Sequence, residues 1–272
     1  MSRSIEARHR GQQHGFIRRM VSPGEVGERI KPFVFLDYVN GQIAPGSGFG
    51  FHPHSGIATL TYQLNADAAY EDTTGQKGLV EATGLEWMRA GGGTWHQGFI
   101  HPRTDFTEGF QLWVALPPGV EDGPPEGLYI APAKVPLVGN VRVLLGEYLG
   151  VTNPIPQPSP ITYLDVVLAP GETWSFTPPE DQTIAWAFVY RGAVLANEQP
   201  IPAGDLVVFE DGTADLVFVA STASRVLLGS AKPHPHRLVL GSHSVHTNRA
   251  SLTRGEAKIQ EVAADLRSSG RI

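Results

Sequence analysis

The sequence predicts an all-β protein made of two β-barrel-like halves with a short C-terminal helix, and three observations predict it. Short runs of β-branched and aromatic residues recur between turn residues. Helical periodicity is nearly absent until the end of the chain. The 31 glycines and 22 prolines are scattered without a collagen-like period, as expected for many short strands joined by turns. With 272 residues the chain is long enough for two domains, and 41% hydrophobic against 18% charged residues supports a sizeable core rather than disorder.

The first strands are read at 33–39 and 58–64, each bounded by Gly, Pro or Asn. Others follow at 78–81, 86–89 and 110–116, with turn signals roughly every 8 to 12 residues, the spacing of a sandwich or barrel. From Leu116 to Pro132 prolines and glycines dominate, which reads as a linker. The expected domains are therefore 1–132 and 133–272. A second strand series runs through 141–145, 163–168, 185–190, 206–209 and 216–219. Within it, Ala169-Pro170-Gly171-Glu172 and Pro202-Ala203-Gly204-Asp205 each place a tight turn before a strand, a weak sign of a duplicated barrel. The helix is expected at 256–266, where Ile259, Val262 and Leu266 are apolar.

A net charge of −6 argues against direct nucleic-acid binding, which needs a basic face. The chain has no cysteine, so disulfides, thiolate metal sites and a cysteine nucleophile are excluded. The first residues are polar and basic, no run approaches the ~20 apolar residues of a spanning helix, and no G-x-S-x-G elbow is present. The expectation is a cytoplasmic protein with no membrane contact.

Chemistry concentrates in the 10 histidines. In Phe51-His52-Pro53-His54, residues two apart in an extended segment point to one face, so His52 and His54 can present two imidazoles to one ion. Three glycines, Gly91-Gly92-Gly93, make a turn that feeds His96 onto another strand. Imidazole suits zinc, copper, iron and nickel, so His52, His54 and His96 are the predicted metal site. A lone histidine is more often a polar surface or core residue; the combination is what carries the reading.

The segments His52-Pro53-His54-Ser55-Gly56, Leu60-Thr61-Tyr62, Gly75-Gln76-Lys77-Gly78, Glu86-Trp87-Met88-Arg89-Ala90-Gly91-Gly92-Gly93-Thr94-Trp95-His96 and Gly109-Phe110-Gln111-Leu112-Trp113-Val114-Ala115-Leu116-Pro117 resemble, in this order, the pirin family. The resemblance is strong over about 30–117 and weaker but collinear over 141–230, where Tyr163-Leu164-Asp165 is similar to the start of the second barrel. It implies two cupin-type (jelly-roll) β-barrels packed together. The N-terminal barrel would carry a single metal on His52, His54 and His96, and the C-terminal barrel none of its own. The implied cofactor is one divalent transition metal, iron foremost, with zinc, nickel, copper or manganese as alternatives. The implied activity is that of a metal-dependent dioxygenase of the quercetin 2,3-dioxygenase type, acting on a small aromatic or flavonol-like substrate. The alternative is a regulatory or redox-sensing protein that acts through protein partners.

This chain departs from the family at two places. Gly98 stands where the family usually puts a glutamate two residues after the third histidine, and Ala58 where many cupins have one. His101, and more remotely Glu108, are the candidates for a fourth ligand. No residue is identified as a general base. His234, His236, His243 and His246 are read as a surface histidine-rich loop rather than a second metal site. Tyr70-Glu71-Asp72 is read as a solvated turn, and Phe51 and Trp95 as pocket walls or core.

Overall fold

The computed structural model describes residues 3–44, 46–103 and 105–272. The chain divides into two compact units. One consists of Gln13–Arg29, Phe33–Lys134 and His234–Ile272. The other consists of Val135–Pro233, Ile30–Pro32 and the N-terminal residues up to Gln12. This differs from a single cut at 132/133 for a reason of pairing. Strand Ile5–His9 adds to the edge strand Leu206–Phe209, so the N-terminus belongs with the second series of strands.

The first unit contains a seven-stranded antiparallel sheet, in the order Glu126–Ile130, Leu85–Arg89, Ile57–Gln63, Phe106–Ala115, Phe33–Gln42, Ile17–Val21 and Gln12–His14. Its register writes two different rows across the same strands. Leu36, Leu112, Leu60 and Trp87 lie side by side and are fully buried or nearly so. One residue along each strand, hence on the opposite face, lies the row Arg19, Asp37, Gln111, Thr61 and Glu86. A four-stranded sheet, ordered Gly48–His54, Thr94–Pro102, Ala66–Asp72 and Lys77–Val80, completes the barrel.

The second unit repeats the plan with a seven-stranded and a four-stranded sheet. Its interior is filled by Trp174, Phe176, Phe209, Phe218 and a set of valines and leucines, with no histidine in that cluster. Gly171 and Gly204 take positive φ in the two turns marked by the sequence. The fold is thus all-β, of two cupin-type barrels, with one long C-terminal helix.

The proline-rich stretch 116–132 is more ordered than a linker, because Glu126–Ile130 pairs along Leu85–Arg89 as a sheet edge. The C-terminal helix spans Arg249–Ser268, longer than predicted, because Asn248 caps it: its side-chain oxygen accepts from the Ser251 amide. Among the described residues, no helix is long and apolar enough to cross a membrane.

Candidate metal centre

Strands Gly48–His54 and Thr94–Pro102 run antiparallel with His52 directly opposite His96 and His54 opposite Thr94. Alternation puts His54 on the same face as His52, so three imidazoles meet. Ring centroids are 4.3 Å apart for His52 and His96, 5.0 Å for His52 and His54, and 5.1 Å for His54 and His96. The turn ahead of the second strand needs glycine: a Cβ on Gly91 (φ 52°) would stand 2.2 Å from the Gly123 carbonyl oxygen. That close approach also lets the Gly92 amide donate to the same oxygen at 2.8 Å, which sets the start of the His96 strand.

The electrostatics suit a cation. One ligand atom from each histidine lies within 4.8 Å of the others. Imidazole–metal bonds of about 2.1 Å place coordinating nitrogens roughly 3 to 3.5 Å apart, the scale on which these atoms converge. Burial lowers the His52 pKa to about 4, with the neighbouring His96 as the next cause. Burial, followed by His96 and His52, holds His54 well below its ordinary value. Both rings are therefore neutral near pH 7, with a lone pair to give. The His52 Nδ1 faces the Gly50 carbonyl at 2.8 Å and the His54 Nδ1 that of His243 at 3.3 Å, which leaves Nε2 as the coordinating atom in each. His96 is buried with no hydrogen bond to either ring nitrogen. A buried imidazole left unsatisfied on both sides is costly unless something else engages it. The three residues fit a metal ion.

The histidines sit at one side of a cavity of about 400 Å³. Phe35, Val39, Phe49, Phe99 and Trp113 give it apolar walls, and the row from Arg19 to Glu86 gives it a polar one. Phe35 and Trp113 stack at 4.0 Å, the Arg19 guanidinium lies 3.9 Å over Phe35, and Trp113 meets the His54 ring at 4.8 Å. Arg19 also pairs with Asp37, and the Thr61 hydroxyl donates to Gln111 at 2.8 Å.

The family model for pirin matches residues 15–114. Pirin-1 of Arabidopsis thaliana is 32% identical over 216 residues, which cover 75% of this chain and 73% of that one. The chain belongs to the pirin family. Two solved structures of quercetin 2,3-dioxygenase from Acinetobacter baumannii resemble this pirin-family chain. One has a TM-score of 0.88 at 22% identity and covers 96% of this chain and 98% of its own. The other has a TM-score of 0.80 at 26% identity and covers 94% and 86%.

The remaining expectations for this pirin-family site divide. Gly98 does line the cavity. His101 does not reach it: the ring is exposed on the Thr94–Pro102 strand, whose register sets it opposite Asp67. Glu108 is buried elsewhere and accepts from the Tyr38 hydroxyl at 2.6 Å. Tyr70-Glu71-Asp72 is the end of strand Ala66–Asp72 rather than a turn, and Asp72 is buried, accepting from the Tyr129 hydroxyl at 2.8 Å. Phe51 and Trp95 do not wall the cavity. Phe51 lies under the Arg271 guanidinium, and the Trp95 indole N–H donates to the Ile259 carbonyl of the C-terminal helix.

The histidine-rich segment is a surface loop only in part, since His236 and His243 are exposed. His234 and His246 are buried, and His246 Nδ1 donates to Glu121 while its Nε2 lies 2.9 Å from the Ser55 hydroxyl. His243 is exposed at the cavity edge. Among the described residues, His52, His54 and His96 are the one group of three whose ligand atoms converge. Glu86, buried in the polar row, was not anticipated at the site. A carboxylate inside the apolar run Leu85-Glu86-Trp87-Met88 is the signal that marks it.

Proposed function

We propose that this pirin-family protein is a metal-dependent dioxygenase, holding one divalent transition metal on His52, His54 and His96 and opening the ring of a flat, chelating aromatic substrate of the flavonol type. The observation that carries the reading is the meeting of three converging imidazoles with an apolar-walled cavity of about 400 Å³, within the range of small-molecule sites. Two solved relatives bearing the name quercetin 2,3-dioxygenase support the choice of substrate class. Iron is the first candidate, with zinc, nickel, copper and manganese as alternatives that imidazole also suits.

When bound, the metal supplies a Lewis acid and an electron conduit for O₂ chemistry. The chain supplies the rest. Phe99 and Trp113 give a planar substrate aromatic surface and keep water away from the reacting end, while Phe35, held between Trp113 and the Arg19 guanidinium, backs the Trp113 ring. Asp37, Gln111 and Thr61 offer acceptors and donors along one wall to orient hydroxyl groups. The Arg19–Asp37 pair, with Arg19 laid over Phe35, holds that wall in place.

The test loads purified protein with each metal in turn and follows quercetin loss together with O₂ uptake. Turnover that disappears in His54→Ala, while the circular dichroism spectrum stays native, is the expected result. A loaded protein that binds quercetin but consumes neither it nor O₂ sinks the enzymatic reading.

A further inference from the structure

Glu86 is an anion in an unusual position. Its side chain is 7% exposed, on strand Leu85–Arg89, and it faces the cavity that holds the three histidines. Among the described residues nothing donates a hydrogen bond to its carboxylate and no lysine or arginine pairs with it. Its neighbours are already engaged. Tyr129, directly opposite on the adjacent strand, gives its hydroxyl proton to Asp72, and Arg89 pairs with Glu126. Thr61, on the other side, donates to Gln111. A carboxylate placed like this, without a donor or a cationic side chain, is set to interact with positive charge brought into the cavity.

The group it does approach is His96. Glu86 Oε1 lies 3.6 Å from His96 Nδ1, just beyond hydrogen-bond length, and is the acidic group beside that nitrogen. This completes a pattern. His52 and His54 each turn Nδ1 to an acceptor, a backbone carbonyl, and keep Nε2 for coordination. His96 is the third of the set, and the acceptor on its Nδ1 side is a carboxylate. Glu86 is not itself part of the convergent group of ligand atoms, which comprises the histidines alone.

We infer that Glu86 is the charge-compensating residue of the metal centre, acting through His96: it accepts the Nδ1 proton of that imidazole when Nε2 coordinates, and so lends the site the negative charge that Gly98 cannot. It is a positioning residue rather than a ligand. The inference rests on the metal reading above. A carboxylate behind a coordinating imidazole fixes the ring's tautomer and orientation and raises its basicity, and loss of such a partner typically weakens metal binding by roughly 10- to 100-fold.

The experiment titrates wild type, Glu86→Gln and Glu86→Ala with Zn²⁺ against a chromophoric chelator, and measures the melting temperature of each protein without metal. The expected result is Zn²⁺ affinity lowered by roughly 10- to 100-fold in Glu86→Ala and less in Glu86→Gln, which keeps an acceptor oxygen. The metal-free melting temperature of Glu86→Gln should stay close to that of wild type, because the amide keeps the shape of the side chain and the carboxylate has no hydrogen-bond donor to lose among the described residues. In the zinc-loaded wild type, the His96 Nδ1 proton should appear as a slowly exchanging imidazole resonance that shifts in Glu86→Gln. Wild type that binds while Glu86→Gln and Glu86→Ala bind equally well overturns this inference and leaves the metal reading standing. A metal-free Glu86→Gln that melts well below wild type with unchanged affinity makes Glu86 merely structural and also overturns it. Wild type that takes up no metal removes both.

Discussion

A histidine must be rid of its proton before it can offer a lone pair, so part of the cost of coordination is met during folding. In His52 that preparation is readable as a pKa lowered to about 4 by burial and by His96. The unfolded chain, with an ordinary histidine pKa near 6.5, then binds more protons than the folded one between those two values. Stability of the metal-free protein should therefore fall as pH drops from about 6.5 toward 4, and recover on raising it through the same window. Urea midpoints at pH 7 and pH 5 check this, and the drop should be smaller in His52→Ala; an unmoved wild-type midpoint refutes it. Gly98 gives a second prediction. A Cβ there would meet only the Ala69 carbonyl oxygen, at 3.7 Å, an ordinary contact. Gly98→Glu should fold, add an anionic ligand from the cavity wall, and tighten Zn²⁺ binding about tenfold or more, in a chelator competition. Weaker binding would falsify the assignment of this wall to the metal. At this scale His52 and His54 were legible because alternation along a strand is local, and His96 because a glycine-rich turn and the family resemblance mark it. Glu86 was not, because its nearness to His96 depends on which strands pair and in what register.

Among the elements, the end of the His54 strand is tied down by buried polar groups. Ser55 bonds Ser244 at 2.8 Å and lies 2.9 Å from His246 Nε2. Glu121 accepts from His246 Nδ1 and from the amide and hydroxyl of Thr247. These contacts seat strand Val245–His246, and with it the His243 carbonyl that receives His54 Nδ1. Replacing Glu121 by Ala leaves the buried His246 Nδ1–H and the half-buried amide and hydroxyl of Thr247 without their acceptor, at about 1 kcal/mol each. We expect a loss of roughly 3 kcal/mol in urea unfolding of the metal-free protein, accompanied by weaker metal binding; an unchanged midpoint would show the network to be dispensable. Strands whose composition is plainly β-branched, such as Val141–Leu145 and Leu206–Phe209, were legible to the residue. Glu126–Ile130 was not, and of Gly48–His54 only the stretch 51–54 was, since glycine and proline nearby mimic loops while ladder bonds from a partner strand hold them extended.

The molecule as a whole shows one plan with two outcomes. Each unit has a seven-stranded and a four-stranded sheet, but one interior holds histidines beside a cavity and the other aromatic and aliphatic side chains. Duplication was only faintly visible in the sequence, because two interiors with different contents share little beyond their turns. An ion bound by the folded chain alone must stabilise it by mass action, about 2.7 kcal/mol at a free concentration one hundred times the dissociation constant. Differential scanning calorimetry should therefore show a melting temperature several degrees higher with Zn²⁺ than with chelator, and no such shift in His96→Ala. The paired rows of the seven-stranded sheet set how this pocket can change over time. Leu36 and Asp37, Leu60 and Thr61, Trp87 and Glu86, and Leu112 and Gln111 are chain neighbours that face opposite ways. Selectivity can then drift by single substitutions at 37, 61 and 111 while the apolar face one step away is left alone. A library randomised at those three positions should yield mostly folded proteins with shifted substrate preference, and one randomised at 36, 60 and 112 mostly aggregates. The sheet is in that sense a page printed on both sides, one of which can be rewritten without smudging the other.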